Sequence, residues 1–270
     1  MTAARYPGSR WLGNGVSGGS WTGGPYKVVL HTTETEGLPG YNDGWSAPHV
    51  TYDPETRIWW QHTEFLHAAR ALRNEPGGVE TNRDSALQVE IICYSAKQYV
   101  DAAPLRRQWV ADLLPHQLAD IRAFLEWAHL EFGVDLMWPG RQALSSSGAN
   151  TPGFRMTLDD WTNFGGVCGH QHVPENTHWD PGALAWAALF PVPEEDDMPD
   201  VELTTALQQA MRDARIRGEN GRLIAVDGKL GKNTKHGLKV LAMRATRGNR
   251  LATRMWAALK SLFVSKAESL

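Results

Sequence analysis

The apolar residues in the first 100 positions fall into short runs that predict strands. Residues 26–32 and residues 86–94 each form an apolar run of the length typical of a buried strand. Residues 49–52 and 57–62 lie on either side of an Asp-Pro-Glu-Thr sequence at 53–56, and this arrangement indicates a β-hairpin.

Helical spacing appears further along the chain. Between Leu114 and Phe132 apolar residues recur every three or four positions, and Gly133 follows as a stop signal. A short helix is expected from Ala183 to Phe190, and residues 138–166 are expected to form a long surface loop. This order of strands and helices predicts an α/β domain with a mixed central β-sheet flanked by helices.

The sequence changes character at residues 191–200, where three prolines and five acidic residues indicate an extended linker. Residues 201–270 hold 14 Lys and Arg against 5 Asp and Glu, a balance of +9, whereas residues 1–200 have a balance of −12. We therefore expect one domain at 1–190 and a small, basic, all-α domain at 201–270. The opposite charges suggest two tasks, the basic domain being suited to a polyanion.

Composition excludes several classes of protein. Apolar residues make up 42% of the chain and charged residues 21%, as in a folded globular protein. No apolar run approaches the roughly 18–20 residues that a membrane span needs, and the first 27 residues lack the apolar core of a secretory signal. Two cysteines, Cys93 and Cys168, exclude a disulfide-dense scaffold and a four-cysteine zinc site.

A cluster of potential metal ligands lies between Cys168 and Gly182. Its sequence is Cys-Gly-His-Gln-His-Val-Pro-Glu-Asn-Thr-His-Trp-Asp-Pro-Gly, with three histidines and an aspartate within eleven residues. Imidazole and carboxylate are ligands of catalytic zinc, which binds three protein groups and leaves a fourth position for water. His31, near the end of the first predicted strand, is a further candidate, although a lone histidine there is more often a core residue.

Together these residues resemble the zinc-dependent N-acetylmuramoyl-L-alanine amidases of the peptidoglycan-recognition fold (amidase type 2). The resemblance rests on His31 in its strand, on Gly169-His170, and on Asp180-Pro181-Gly182 ten residues further on. Other segments follow the order of the family, namely Pro48-His49-Val50-Thr51-Tyr52, Leu66-His67-Ala68-Ala69, Asn82 through Glu90-Ile91, and the helix at 114–132. The resemblance covers about residues 24–190, and it is the combination that is specific.

The resemblance implies roles for individual residues. His31, His170 and Asp180 would bind Zn²⁺. Glu90 would be the general acid and base, and His178, where the family often has Lys, would stabilise the oxyanion. Three further residues would bind substrate along the cleft: His49, His67 and Asn82.

Alternatives stay open at three of these positions. His172 competes with His170 as a ligand, although we expect it behind the ligands or on the surface. Cys168 is a rival of Asp180, because a cysteine replaces the third ligand in some members of the family, but burial is its expected role. Glu90 has the alternative of a strand-edge residue that points to solvent.

One departure from the family concerns proton transfer. Some members have a catalytic tyrosine immediately before the equivalent of His49, and this chain has Pro48 there. Proton transfer would therefore depend on Glu90. The other histidines are expected to be ordinary surface or helix residues: His62, His116, His129 and His236.

Residues 226–239 resemble the Asp-Gly-x-Phe-Gly-x-x-Thr signature of small three-helix peptidoglycan-binding modules, with Leu230 in place of the aromatic residue. Helices are expected at 203–216 and 250–263. The basic charge suits anionic wall polymers, and a solvated helical bundle without a specific ligand is the alternative. Nothing in this segment supplies the base-stacking aromatics of a nucleic-acid site.

The resemblance implies a peptidoglycan hydrolase that cleaves the amide between N-acetylmuramic acid and L-alanine of the stem peptide. Without a secretory signal, this architecture is typical of a phage endolysin, which waits in the host cytoplasm until a holin opens the membrane and then lyses the cell. We expect a monomer that binds bacterial peptidoglycan and neither nucleic acid nor membrane. The alternatives are a non-catalytic peptidoglycan-recognition protein and a bacterial autolysin or recycling amidase.

Overall fold

The computed structural model describes residues 4–73, 80–101 and 108–190, and scattered residues between 205 and 237. The chain divides into two compact units, Met1–Pro191 and Val192–Leu270. The predicted linker at 191–200 and the predicted helix at 250–263 lie outside the described residues.

Unit 1 is built on one six-stranded sheet of mixed direction. Its strands are β1 (Ser9–Trp11), β2 (Lys27–Thr32), β3 (Val50–Asp53), β4 (Ile58–Gln61), β5 (Ala86–Ile91) and β6 (Val167–Gly169). Their spatial order is β1-β4-β3-β5-β2-β6, and only the β3–β4 pair is antiparallel. The predicted hairpin and the predicted mixed sheet are therefore confirmed. Five helices accompany it in the described part: α1 (Lys97–Asp101), α2 (Pro115–Phe132), α3 (Ser146–Ala149), α4 (Leu158–Asn163) and α5 (Trp186–Leu189).

Helix α2 covers one face of the sheet and shares the core there with the strands. It begins one residue after the predicted start, where the Gln117 side chain accepts a hydrogen bond from the Leu114 amide, and it ends at Gly133 with φ at 74°. Its buried face packs on the strand residues that point toward it, and together they form the largest apolar cluster, which includes Val28, Leu30, Tyr52, Leu87, Val89, Ile121, Phe124 and Leu125.

The other face of the sheet is mixed in character. Toward the amino ends of its strands it carries a smaller apolar cluster, with Val29, Ala86, Trp161 and Cys168. Toward the carboxyl ends the same face carries polar residues, because side chains alternate along a strand and His31 therefore shares a face with Val29. This polar end of the face holds the candidate site.

Two predictions of local structure were incomplete. Strand β1 was not predicted, because its three residues, Ser-Arg-Trp, have no apolar run and pair at the sheet edge. The predicted loop at 138–166 contains α3 and α4, and Trp161 of α4 is fully buried.

In unit 2, residues 205, 208–209, 211–212, 233–234 and 237 are helical. Asp227 and Thr234, the first and last residues of the resembled signature, both hydrogen-bond to the buried side chain of Gln208. Among the helices of the described residues, none has the length and apolar character needed to cross a membrane.

Candidate metal centre

Three side chains converge at the polar end of the sheet. Nδ1 of His31 lies 3.1 Å from Nδ1 of His170. Asp180 places Oδ2 3.4 Å from His31 Nδ1 and Oδ1 3.3 Å from His170 Nδ1. All three residues are buried, and together they could hold a metal ion. Ligand atoms at about 2.0–2.2 Å from a tetrahedral zinc ion lie roughly 3.3–3.6 Å apart, which is close to the distances found here.

The nitrogen that His31 offers is fixed by Gln88. Nε2 of His31 donates to Gln88 Oε1 at 2.8 Å, which leaves Nδ1 turned toward His170 and Asp180. Burial lowers the pKa of His31, but the hydrogen bond to Asp180 and the charges of Glu90 and Asp180 outweigh it and raise the pKa, so a metal ion at Nδ1 would displace a proton. Burial lowers the pKa of His170 to about 4. Two imidazoles and a carboxylate that face one another fit the donor set of a zinc site.

The chain brings His170 and Asp180 together by a close approach of two backbone segments. The Gln171 amide donates to the Asp180 carbonyl oxygen at 2.9 Å. Gly169 allows this contact, because a Cβ there would lie only 2.5 Å from Cδ of Pro181.

Arg155 ties the rest of this loop together. Its guanidinium donates to the carbonyl oxygens of Gln171 at 2.8 Å and of His178 at 2.7 Å, and to Oδ1 of Asn176 at 3.2 Å. The Asn176 side chain in turn accepts from the His178 amide and donates to the Val173 carbonyl. One arginine therefore holds the backbone next to the candidate ligand His170 and at its neighbour His178.

Glu90 lies beside the ligands on the same face of the sheet. In the parallel pairing of β2 with β5, Glu90 is the direct partner of His31, and neighbouring strands lie about 4.8 Å apart. Glu90 Oε2 is buried and has no hydrogen-bond partner among the described residues. Burial, reinforced by Asp180 and Glu34 against the opposing His31 and His178, raises the pKa of Glu90 to about 7. Glu90 is partly buried on a central strand and its Oε2 is buried, so the description of a strand-edge residue does not fit it.

His178 lies at the mouth of the site. Its ring stacks on His170 with centroids 4.4 Å apart, and its Nδ1 lies 3.6 Å from Asp180 Oδ1. The side chain is 65% exposed, so it can meet a ligand that enters from solvent. A cavity of about 440 Å³ opens here, and its lining includes Arg73, His170, Asn176 and His178.

The two rival ligands have other partners. His172 is buried, its Nδ1 accepts from the Gly169 amide, and its Nε2 donates to the Arg141 carbonyl, so neither nitrogen is open to a metal. Cys168 is buried in the smaller apolar cluster, and burial raises the pKa of its thiol to about 12. The position of Cys168 agrees with the expectation of burial.

The three predicted substrate-binding residues occupy different environments. His49 is fully buried; its Nδ1 accepts from the Gln88 amide and its Nε2 donates to the His67 carbonyl. Asn82 is buried, and its side-chain amide bonds both backbone groups of Leu72. Only His67 exposes its side chain. His49 and Asn82 thus hold neighbouring backbone segments, Asn82 also lines a cavity of about 310 Å³, and His67 is exposed to solvent.

Some residues of the site were missed or misplaced by sequence reasoning. Gln88 could have been found, because the alternation Leu87-Gln88-Val89-Glu90 places Gln88 and Glu90 on one face. Arg155 carried no signal, since it comes from a segment predicted as loop. The expectation of an ordinary surface or helix residue was wrong for His62, which is fully buried.

Comparison with known proteins adds little to this description. No family model and no curated protein matches the sequence. Among solved structures, a selenomethionine derivative of AmpD is similar, with a TM-score of 0.42 and 13% sequence identity. The similar region covers 68% of this chain and 94% of the AmpD chain. The chemistry of the site therefore rests on the side chains described above.

Proposed function

We propose that this chain is a zinc-dependent N-acetylmuramoyl-L-alanine amidase that cleaves the bond between the lactyl group of N-acetylmuramic acid and L-alanine of the stem peptide. The observation that carries the proposal is the convergence of His31, His170 and Asp180 with Glu90 in register beside them. The choice of amide follows the motif resemblance over residues 24–190.

His31, His170 and Asp180 would hold the ion through Nδ1, Nδ1 and a carboxylate oxygen. A bound zinc ion supplies a water of lowered pKa and polarises the scissile carbonyl group. Asp180 is the only ligand of the three that would bring a negative charge, so the charge of the ion would be neutralised only in part.

Glu90 would move the proton. Its unpartnered Oε2 takes a proton from the attacking water and delivers it to the departing nitrogen of L-alanine, so that the nitrogen leaves as a neutral amine. A carboxyl group with a pKa of about 7 suits both steps, because it can accept and donate near neutral pH.

The cavity beside the ligands would receive the substrate. His178, exposed at the mouth of the cavity, would donate to the oxygen that gains negative charge on the scissile carbonyl. Arg73 lines this cavity and also a neighbouring one of about 310 Å³ that Trp45, Arg70 and Arg83 help to form. A guanidinium-rich and aromatic extension suits a substrate that carries carboxylates and sugar rings.

We further propose the setting of a phage endolysin, released to the wall with the help of a holin. Residues 201–270 would direct the enzyme to the wall, and their balance of +9 suits anionic wall polymers.

Digestion of purified peptidoglycan followed by mass analysis tests the proposed reaction. Free stem peptides beside intact glycan strands would support it, with His170→Ala as the inactive control. Cleaved glycan strands, or peptides cut at internal bonds, would contradict it. Binding to the wall without release of stem peptides or glycan fragments would instead favour a non-catalytic recognition protein.

A further inference from the structure

A row of polar residues continues from the metal centre across the sheet. Glu90 pairs with His31 on one side and with Thr51 of β3 on the other, so all three side chains point to the same face. Thr51 is fully buried although it is polar, and a buried hydroxyl needs partners. Its partners are two rings that have no part in the reaction described above.

Thr51 and these partners form a series of hydrogen bonds in which the donor and the acceptor of each bond can be assigned. His62 Nδ1 lies 2.7 Å from Oδ1 of Asn14, an acceptor, so Nδ1 donates and Nε2 is left to accept. Thr51 therefore donates to His62 Nε2, at 2.9 Å. The Thr51 oxygen in turn accepts from the hydroxyl of Tyr41, at 2.7 Å. In this series of hydrogen bonds, the hydroxyl of Tyr41 donates its proton to Thr51. The phenolic oxygen can therefore still accept a hydrogen bond from another group.

The backbone turn that carries Tyr41 has an unusual conformation. Tyr41, Asn42 and Asp43 all have φ near +50°, an arrangement that costs energy in residues other than glycine. Gly44 follows with φ at 82°, and a Cβ there would overlap the carbonyl oxygen of Asn14. The turn at 41–44 is therefore packed against the residue that ends the hydrogen-bond chain.

The phenol bonds to Thr51, the cross-strand neighbour of Glu90, and it stays protonated. Burial, and secondly the negative charge of Glu90, raise the pKa of Tyr41. Its ring packs edge-on against His62 with centroids 5.0 Å apart, and the residue is only half-buried, so a ligand can reach it.

We propose that the phenolic oxygen of Tyr41 accepts a hydrogen bond from the N–H of the scissile amide and thereby turns the lone pair of the departing nitrogen toward Glu90. This inference rests on the proposed function, because it places the departing nitrogen beside Glu90. The substrate group that this site would recognise is one N–H donor. The phenolic oxygen of Tyr41 suits it, because the hydroxyl proton is donated to Thr51 and the oxygen is left to accept. Tyr41 would then contact the substrate at the atom that leaves.

The test compares two soluble substrates with the full-length enzyme. One is a muramoyl-L-alanine amide, and the other is its ester analogue, in which L-lactate replaces L-alanine and oxygen replaces the N–H. Tyr41→Phe should lower kcat/KM for the amide by about 10-fold, the worth of one hydrogen bond, and leave the ester unchanged. Tyr52→Phe, which removes a hydroxyl on the opposite face, is the matched control and should change neither.

A second pair of variants tests the role of Thr51 as the hydrogen-bond acceptor of Tyr41. Thr51→Val should lower cleavage of the amide selectively, because Tyr41 loses its acceptor, and Thr51→Ser should preserve it. Equal losses on amide and ester in Tyr41→Phe, or no loss on either, would overturn this inference alone. Failure of the wild-type enzyme to cleave either substrate would overturn the proposed function as well.

Discussion

The side-chain oxygen of Gln88 accepts a hydrogen bond from Nε2 of His31 at 2.8 Å, two residues before Glu90 on the same strand. Strand β5 therefore serves the candidate site twice, since Gln88 orients the ring of His31 and Glu90 supplies a carboxyl group beside it. The alternation of side chains along the strand places both on the face that holds the ligands.

Gln88→Met should weaken metal binding without removing a ligand. The apolar side chain fills the same space but no longer holds Nε2–H, so His31 can rotate or change tautomer. We expect a loss of affinity of about 10–100-fold, measured by competition with a chelator. Gln117→Met, which removes a buried glutamine from α2, should lower stability but leave metal affinity unchanged. Equal metal affinity in wild type and Gln88→Met would contradict the role of Gln88.

Arg155→Lys should loosen the loop that carries His170 and His178. Lysine keeps the charge but cannot span the carbonyl oxygens of Gln171 and His178 with a planar fork. We expect a lower stability by on the order of 1–3 kcal/mol, together with reduced turnover. Arg122→Lys, which loses a similar bond to the Leu189 carbonyl, should leave turnover intact. Turnover that falls equally in both variants would argue against a specific role of Arg155.

Stability should fall in mild acid because of buried neutral histidines. Burial lowers the pKa of His49 and of His62 to about 4, against about 6.5 in an unfolded chain. Between these values the unfolded chain binds more protons, so stability is full above pH 6.5 and is lost as the pH falls toward 4. Each histidine should contribute on the order of 1–2 kcal/mol of this loss between pH 7 and pH 5.

Urea unfolding of His62→Gln at these two pH values checks the assignment. The variant should show a smaller difference in unfolding free energy between pH 7 and pH 5 than the wild type does. His116→Gln, on the exposed side of α2, should keep the wild-type difference. An unaltered pH dependence in His62→Gln would show that the acid sensitivity has another source.

The basic segment should affect wall binding and leave the chemistry unaffected. A chain that ends at Pro191 keeps unit 1 and every proposed catalytic residue. It should cleave soluble muropeptides normally and bind whole walls more weakly. Binding by the full chain should also weaken as salt rises, because the screening length falls from about 10 Å at 0.1 M to about 3 Å at 1 M. Equal wall binding with and without residues 201–270 would contradict a targeting role.

Two of the three candidate metal ligands could be identified because potential ligands lie unusually close together in the sequence. His170 and Asp180 bound an eleven-residue segment that also holds His172 and His178, and packing alone does not call for so many potential ligands. The strand of His31 and the helix α2 could be predicted from their apolar periodicity, since burial against each other imposes that pattern.

The supporting contacts could not be predicted in the same way. Arg155 and Tyr41 act through partners on other segments, and local composition does not encode which carbonyl or hydroxyl a side chain will meet. His62 seemed ordinary because its burial depends on the segment around Asn14, which follows the edge strand β1 and carries no signal in the sequence near His62. Such contacts follow from the fold as a whole.

The most direct test of the account measures metal content and stem-peptide release in the same preparations of wild type, His170→Ala, His172→Gln and Glu90→Gln. We expect one zinc ion per chain in the wild type, in His172→Gln and in Glu90→Gln, and none in His170→Ala. Glu90→Gln should release peptides on the order of 10²–10⁴-fold more slowly than the wild type, although its zinc is retained. Near-normal release by Glu90→Gln, or zinc retained by His170→Ala and lost from His172→Gln, would contradict the assignment of the metal centre and its base.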